Sequence, residues 1–77
     1  MNFTDKTILN EDNRYVVIEE VDYDGKKYVF ISNPQDKNDS RFVEVEEVDG
    51  NVIMHPIDPS LFKENILPLF IEKFETY

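Results

Sequence analysis

The sequence predicts a single α+β domain covering residues 1–77, with a small antiparallel β-meander of about four strands and a C-terminal helix packed on one face. Two observations predict the meander. Strand-like runs are interrupted by Asp24-Gly25, and again by Asp49-Gly50. Asp-Gly favours a tight hairpin turn, since both central residues need a positive φ. The third observation is an apolar stripe at three- and four-residue spacing near the C-terminus, which predicts the helix.

The first hairpin is predicted from two runs rich in Val, Ile and Tyr, at residues 14–21 and 28–31. A two-residue turn between them would place Asp22 opposite Lys27 as a favourable cross-strand pair. The run Thr7-Ile8-Leu9 is consistent with a short additional strand. Residues 34–40 are polar and lack apolar periodicity, so we expect an exposed connection there.

The second hairpin begins with a strand that is apolar on one side and acidic on the other. Val43 and Val45 alternate with Glu44 and Glu46, which is the period of a half-buried strand. The chain then turns at Asp49-Gly50 into a further strand at residues 52–54. We expect the helix to cover one face of the sheet and the acidic face to stay open.

The C-terminal helix is predicted to start at Asp58, which can cap it, with Pro59 in the first helical position. Its apolar stripe consists of Phe62, Ile66, Phe70, Phe74 and Tyr77. Pro68 removes a backbone donor, so we expect a kink or two short helices meeting near Leu67-Pro68. Residues 66–71 are apolar almost all round, which indicates a surface for a partner or for a second copy in a homodimer.

Composition excludes several classes of function. Seventeen acidic residues against eight basic ones give a net charge of −9, which argues against direct binding to nucleic acid or to an anionic membrane. The chain has no Cys, so it has no disulfide, thiolate nucleophile or Cys-based metal site. No stretch approaches the roughly 20 apolar residues that span a bilayer, and we expect a cytoplasmic protein.

A calcium loop is the closest match to a metal motif. Glu20, Asp22, Asp24 and Gly25 resemble its first half, but the twelfth position is Ile31, where a bidentate Glu is required. We therefore interpret this segment as a hairpin turn with solvated acids.

Catalytic motifs are equally weak. His55 has no neighbouring nucleophile, and two separated glycines cannot form a phosphate-binding loop. We expect no catalytic residue, no metal and no cofactor, and hence a protein that is not an enzyme.

Acidic density is the strongest functional signal. Residues 42–58 hold five acids and no Lys or Arg. A sheet with regularly spaced carboxylates can imitate the phosphates of DNA and fill a basic groove on a nucleic-acid enzyme, as phage inhibitors of restriction and CRISPR enzymes often do. Such an anti-CRISPR-like DNA mimic is the first hypothesis, and the other interpretation is that the acids only keep the protein soluble. The predicted contact residues are Glu19, Glu20, Asp22, Asp24, Glu44, Glu46, Glu47, Phe70 and Ile71.

The order of features also resembles the DUF1292 or YrzB-like group of small Firmicutes proteins. The matching segments are Asp24-Gly25-Lys26-Lys27-Tyr28-Val29, Asn33-Pro34, residues 43–48, Asp49-Gly50, Pro56-Ile57-Asp58 and the apolar terminal helix. The resemblance implies a small α+β protein without an assigned reaction. The alternative function is a housekeeping interaction module of the DUF1292-like kind, which binds a host partner through its C-terminal helix.

Overall fold

The computed structural model describes residues 7–10 and 13–75 of the chain. One antiparallel sheet holds five strands in sequential order: β1 (Thr7–Asn10), β2 (Asn13–Tyr23), β3 (Lys26–Asn33), β4 (Asp36–Val48) and β5 (Asn51–His55). A helical segment follows, made of α1 (Pro59–Leu61), a π-helical turn (Phe62–Ile66) and α2 (Leu67–Phe74). The predicted α+β meander with a C-terminal helix is confirmed, and the run at Thr7-Ile8-Leu9 is a strand.

Both Asp-Gly hairpin turns have the predicted backbone geometry. Asp24 and Gly25 have φ values of 52° and 76°, and Asp49 and Gly50 have 52° and 83°. Two successive positive φ angles are the mark of a type I′ turn, whose twist matches that of the flanking strands. These turns set the register of β2 against β3 and of β4 against β5.

The two long strands each pair with different neighbours along their length. β2 pairs with β1 through residues 13–16 and with β3 through residues 16–23. β4 pairs with β3 through residues 36–45 and with β5 through residues 44–48. A β-bulge between Val17 and Glu19 adds local twist to β2. Each long strand therefore links two neighbours at different points along its length.

The connection expected at residues 34–40 is much shorter in the structure. Only Pro34 and Gln35 form the turn, and β4 already begins at Asp36. Ser40 lies opposite Ser32, and the two hydroxyls are hydrogen-bonded at 3.1 Å. Cross-strand pairing of this kind outweighs the low strand propensity of the polar residues.

One face of the sheet carries a core made of strand residues only. Its buried members are Ile8, Tyr15, Val17, Val29, Ile31, Val43 and Val45, and Val52 and Met54 pack against them. No residue of the described helical segment belongs to this cluster. The cluster runs from β1 to β5, so these side chains are buried against one another. We call this cluster the sheet core.

The helical segment covers the other face of the sheet. Val21, Tyr28, Ile66 and Phe70 are buried there, with partly buried aromatic rings around them. The ring of Phe42 lies 4.8 Å from that of Phe70 and 4.6 Å from that of Phe30.

This arrangement corrects the expected orientation of β4. Phe42 is in phase with Glu44 and Glu46, so the helix lies on the side of these glutamates, whereas Val43 and Val45 point into the sheet core. The physical reason is that the large rings of β3 and β4 offer the helix more apolar area than the valines do.

The helical segment begins as predicted. Asp58 caps it, because its Oδ2 accepts a hydrogen bond from the backbone N–H of Leu61 at 3.1 Å, and Pro59 lies in the first turn. Tyr77, expected to end the apolar stripe, lies outside the described residues. Within the described chain no helix is long and apolar enough to cross a membrane.

The interruption predicted near Leu67-Pro68 takes the form of a π-helical turn. The backbone N–H of Leu67 donates to the carbonyl of Phe62, five residues earlier. Pro68 follows directly, at the start of α2. A proline has no N–H and its ring clashes with the carbonyl four residues before it, and the wider turn accommodates both effects.

Candidate functional site

Exposed and half-buried carboxylates gather where the β2–β3 turn meets the second half of β4. β3 begins at Lys26, whereas residues 46–48 of β4 extend beyond it and pair with β5. A groove of about 290 Å³ opens at this place, lined by Gly25, Lys26, Lys27, Glu44, Val45, Glu46 and Glu47. We call the carboxylates of Asp22, Asp24, Glu44, Glu46 and Glu47 the acidic end.

A lysine is bound between two carboxylates at the edge of this groove. Lys27 lies opposite Asp22, as the sequence predicts, and its Nζ donates to Oε2 of Glu20 at 2.7 Å and lies 3.2 Å from Oδ1 of Asp22. Burial would lower the pKa of Lys27, but the hydrogen bonds to Glu20 and Asp22 outweigh burial, and the pKa is raised. Lys27 therefore keeps its charge, and that charge is matched by the two acids.

Two further acids of the groove interact with residues on neighbouring strands: Glu46 with His55, and Glu44 with Tyr28. Glu46 Oε1 lies 3.8 Å from Nε2 of His55, and both side chains are about half exposed. Burial, and after it the negative charge of Glu44, raises the pKa of the Tyr28 hydroxyl. The field of Glu44 thus reaches the aromatic core under the helix.

The predicted acidic residues do not form one continuous stripe. The side of the sheet that the helix covers carries Glu19, Glu44 and Glu46. The side of the sheet that carries the sheet core also carries Glu20, Asp22 and Glu47. Asp24 lies in the turn. Successive residues of a strand point to opposite faces, so acids in consecutive positions are separated by the sheet. They come together only around the end of the groove.

Two of the predicted contact residues are not available to a partner in this fold. Glu19 is 8% exposed, and its Oε1 accepts a hydrogen bond from the backbone N–H of Glu20 at 3.0 Å. Phe70 has no exposed surface and belongs to the core under the helix. Its neighbour Ile71 is 46% exposed, because one residue along a helix turns the side chain by about 100°. Phe70 is therefore a packing residue, and Ile71 stays on the surface.

A second polar cluster, not foreseen from the sequence, lies at the opposite end of β3. Asp39 accepts hydrogen bonds from the Tyr15 hydroxyl at 2.7 Å, from Arg41 at 2.6 Å and from Asn33 at 3.5 Å. The Arg41 guanidinium also lies 5.3 Å from the centroid of the Tyr15 ring. The sequence signal is the spacing of Asp39 and Arg41, because residues two apart on a strand share a face. We call these four residues the Asp39 network.

The hydrogen bonds of the Asp39 network determine which of its groups are ionised. The bonds from Tyr15 and then Arg41 hold the pKa of the Asp39 carboxyl below its ordinary value. The same bond raises the pKa of the Tyr15 hydroxyl. The ionised carboxylate and the neutral phenol are the favoured forms, so the network fastens β4 to β2 across β3.

Two further observations concern ligands and relatives. In residues 7–10 and 13–75, no group of three His, Asp or Glu side chains is placed to hold a metal ion. Comparison with protein-family models, curated proteins and solved structures finds no match to the chain. The resemblance to the DUF1292 group therefore stays a prediction.

Proposed function

We propose that this protein is a non-enzymatic binding protein whose acidic end occupies a basic, nucleic-acid-binding surface of a target protein. The observation that supports this most is that one groove is lined by Glu44, Glu46 and Glu47, which belong to a stretch without Lys or Arg from residue 42 to residue 58, while Lys26 and Lys27 line its other side. Such a protein would act in the cytoplasm as an inhibitor of the phage anti-defence type.

Charge supports the encounter with a basic target. The net charge of −9 on 77 residues gives a field that attracts a basic surface over distances beyond direct contact. Attraction of this kind raises the rate of association and disfavours acidic proteins as partners. The acids would thereby select the target.

Spacing supports the comparison with a nucleic acid. Glu44 and Glu46 lie two residues apart on one side of β4, which corresponds to about 6.8 Å along the strand. Successive phosphates of one DNA strand advance by about 3.4 Å along the helix axis, so about 6.8 Å corresponds to every second phosphate. The type I′ turn at Asp24-Gly25 brings Gly25 to the same groove and adds Asp24 next to it in the chain. A basic groove shaped for phosphates would therefore meet one carboxylate for every second phosphate position.

The alternative function is a protein-interaction module that binds through α2. Ile71 is 46% exposed and Phe74 is 39% exposed, so this helix presents apolar surface to solvent. A host partner, or a second copy of the chain, would cover that surface. Binding of this kind would depend on apolar contact and would persist at high salt.

Affinity capture with two charge-reversed variants separates these functions. The test variant is Glu46→Lys with Glu47→Lys in the acidic end, and the control is Glu64→Lys with Glu72→Lys on the exposed side of the helical segment. Each Glu→Lys change adds two charge units, so both variants carry −5 instead of −9. Tagged proteins would be incubated with native cell lysate at about 0.1 M and about 1 M salt, where the Debye length falls from about 10 Å to about 3 Å.

The proposal predicts that wild type and control retain a basic nucleic-acid-binding protein at low salt only, and that the test variant does not. Retention of the same partner by all three proteins would contradict it. Loss of the partner in the control variant alone would favour the helix-based alternative.

A further inference from the structure

The outer edge of β5 has backbone groups without partners in the sheet. β5 is the last strand, and all its partners in the described chain lie on β4. In a type I′ hairpin the residues that flank the turn exchange both hydrogen bonds, and the pattern then alternates. Asn51 and every second residue after it bond to β4, so the N–H and C=O groups of Val52 and Met54 point outward. No further backbone bond to either residue occurs in the described chain.

This edge lacks the features that usually prevent another strand from adding to it. Natural edge strands carry Lys, Pro, inward-pointing charges or a bulge. The residues of β5 are Asn51, Val52, Ile53, Met54 and His55, and its pairing with β4 shows no bulge. Ile53 is 40% exposed on the strand. The edge is thus a template for an added strand, with four backbone groups to satisfy.

The charges behind β5 indicate what kind of strand would add. Glu44, Glu46 and Glu47 lie on the neighbouring strand, opposite residues 55, 53 and 52 of β5. An added strand would lie about 9.6 Å from β4, two inter-strand spacings away, which long Lys or Arg side chains can cross to reach a carboxylate. A second copy of β5 would instead bring its own three glutamates and a net charge of −9 to the same place.

We propose that the β5 edge binds an extended, lysine- or arginine-bearing segment of the target protein, which adds to the sheet as a sixth strand. Backbone hydrogen bonds to Val52 and Met54 hold this segment, and the acids of β4 select its charge. The inference rests on the proposed function and gives it a binding mode, strand addition. It differs from simple charge attraction because it requires particular backbone groups.

Two variants of one residue test the backbone requirement. Val52→Pro removes an outward N–H that β4 does not use, and Val52→Ala trims the same side chain but keeps the N–H. The probe is a blocked hexapeptide, Lys-Val-Lys-Thr-Lys-Val, with the Glu-for-Lys peptide as the charge control. We expect wild type to bind only the lysine peptide. Loss of one net hydrogen bond should weaken binding by Val52→Pro about 2- to 12-fold, while Val52→Ala stays within about twofold of wild type.

Amide hydrogen exchange on wild type provides a readout that needs no variant. With the lysine peptide bound, the amides of Val52 and Met54 should become protected, whereas the amide of Ile53, already bonded to β4, should not change. Absence of peptide binding, equal affinity of both Val52 variants, or unchanged exchange at Val52 and Met54 would each overturn the inference. Protection of these amides in a self-associating protein without peptide would also overturn it, since a second copy would be the occupant.

These outcomes are separable from failure of the proposed function. If the edge inference fails while the Glu46 and Glu47 variant still loses its basic partner, the acidic end binds without strand addition. If that variant keeps its partner, the proposed function itself fails.

Discussion

Phe70→Ala is the substitution with the largest predicted effect on stability. The side chain is fully buried, and its ring centroid lies 4.8 Å from that of Phe42 and 6.2 Å from that of Phe74. Truncation of a buried Phe to Ala costs about 3–5 kcal/mol, from lost burial and from the cavity left behind. A chain of 77 residues has an unfolding free energy of roughly 4–12 kcal/mol. The variant should therefore lose between a quarter and all of its stability.

Urea unfolding followed by far-UV circular dichroism measures this loss. With a slope of roughly 1–2 kcal/mol per molar urea for a small domain, the midpoint should fall by about 1.5 M or more. Ile71→Ala is the matched control, since this neighbouring side chain is 46% exposed and its truncation should cost less than about 1 kcal/mol. Equal midpoints for the two variants would refute the packing of α2 on the sheet.

Three further substitutions test local features. Gly25→Ala should cost about 1–2 kcal/mol in thermal unfolding, because φ is 76° and a Cβ would meet no atom within 4 Å, so that the cost is conformational. Asp58→Ala should cost about 1 kcal/mol in urea unfolding, through loss of the helix cap. The lowered pKa of Asp39 stabilises the fold above about pH 4, and this contribution is lost as the pH falls through that lowered pKa. Urea midpoints measured from pH 7 to pH 2 should therefore fall less steeply for Asp39→Asn than for wild type.

Each of these predictions has an outcome that contradicts it. A Gly25→Ala protein as stable as wild type would be incompatible with the positive φ at that residue. Unchanged stability of Asp58→Ala would show that the cap contributes nothing. Parallel pH profiles for wild type and Asp39→Asn would show that the Asp39 network does not favour the ionised carboxylate.

Features determined by local sequence were predictable. The two Asp-Gly turns, the pairing of Asp22 with Lys27, the Asp58 cap and the interruption before Pro68 all depend on residues close together in the chain. Turn type, capping and the missing N–H of proline act through local backbone geometry, which short sequence patterns record.

Features determined by packing were not predictable in the same way. The face that the helix covers depends on the combined rings of Phe30, Phe42 and Phe70, which lie on three different elements. The bulge between Val17 and Glu19 changes the phase of β2 and buries Glu19, although no glycine or proline marks it. Beyond such a bulge, the pattern of apolar and polar residues does not show which face of the sheet each side chain takes.

The sequence predicted which acidic residues belong to the candidate site, and only partly how they are arranged. The sequence identified the carboxylates that surround the groove, because their density is visible without a fold. It could not show that Glu20 is bound to Lys27 or that Phe70 is inside the core, since both depend on contacts between elements. Of the predicted acidic contact residues, Asp24, Glu46 and Glu47 are exposed and make no ion pair with a lysine in the described chain.

The most direct test of the central claim is displacement of labelled duplex DNA from the basic protein recovered at low salt. We predict that wild type and the Glu64→Lys, Glu72→Lys control release the DNA, and that Glu46→Lys with Glu47→Lys does not. Binding to the target without release of DNA, or equal release by both variants, would contradict it, because the acidic end would then not occupy the nucleic-acid site.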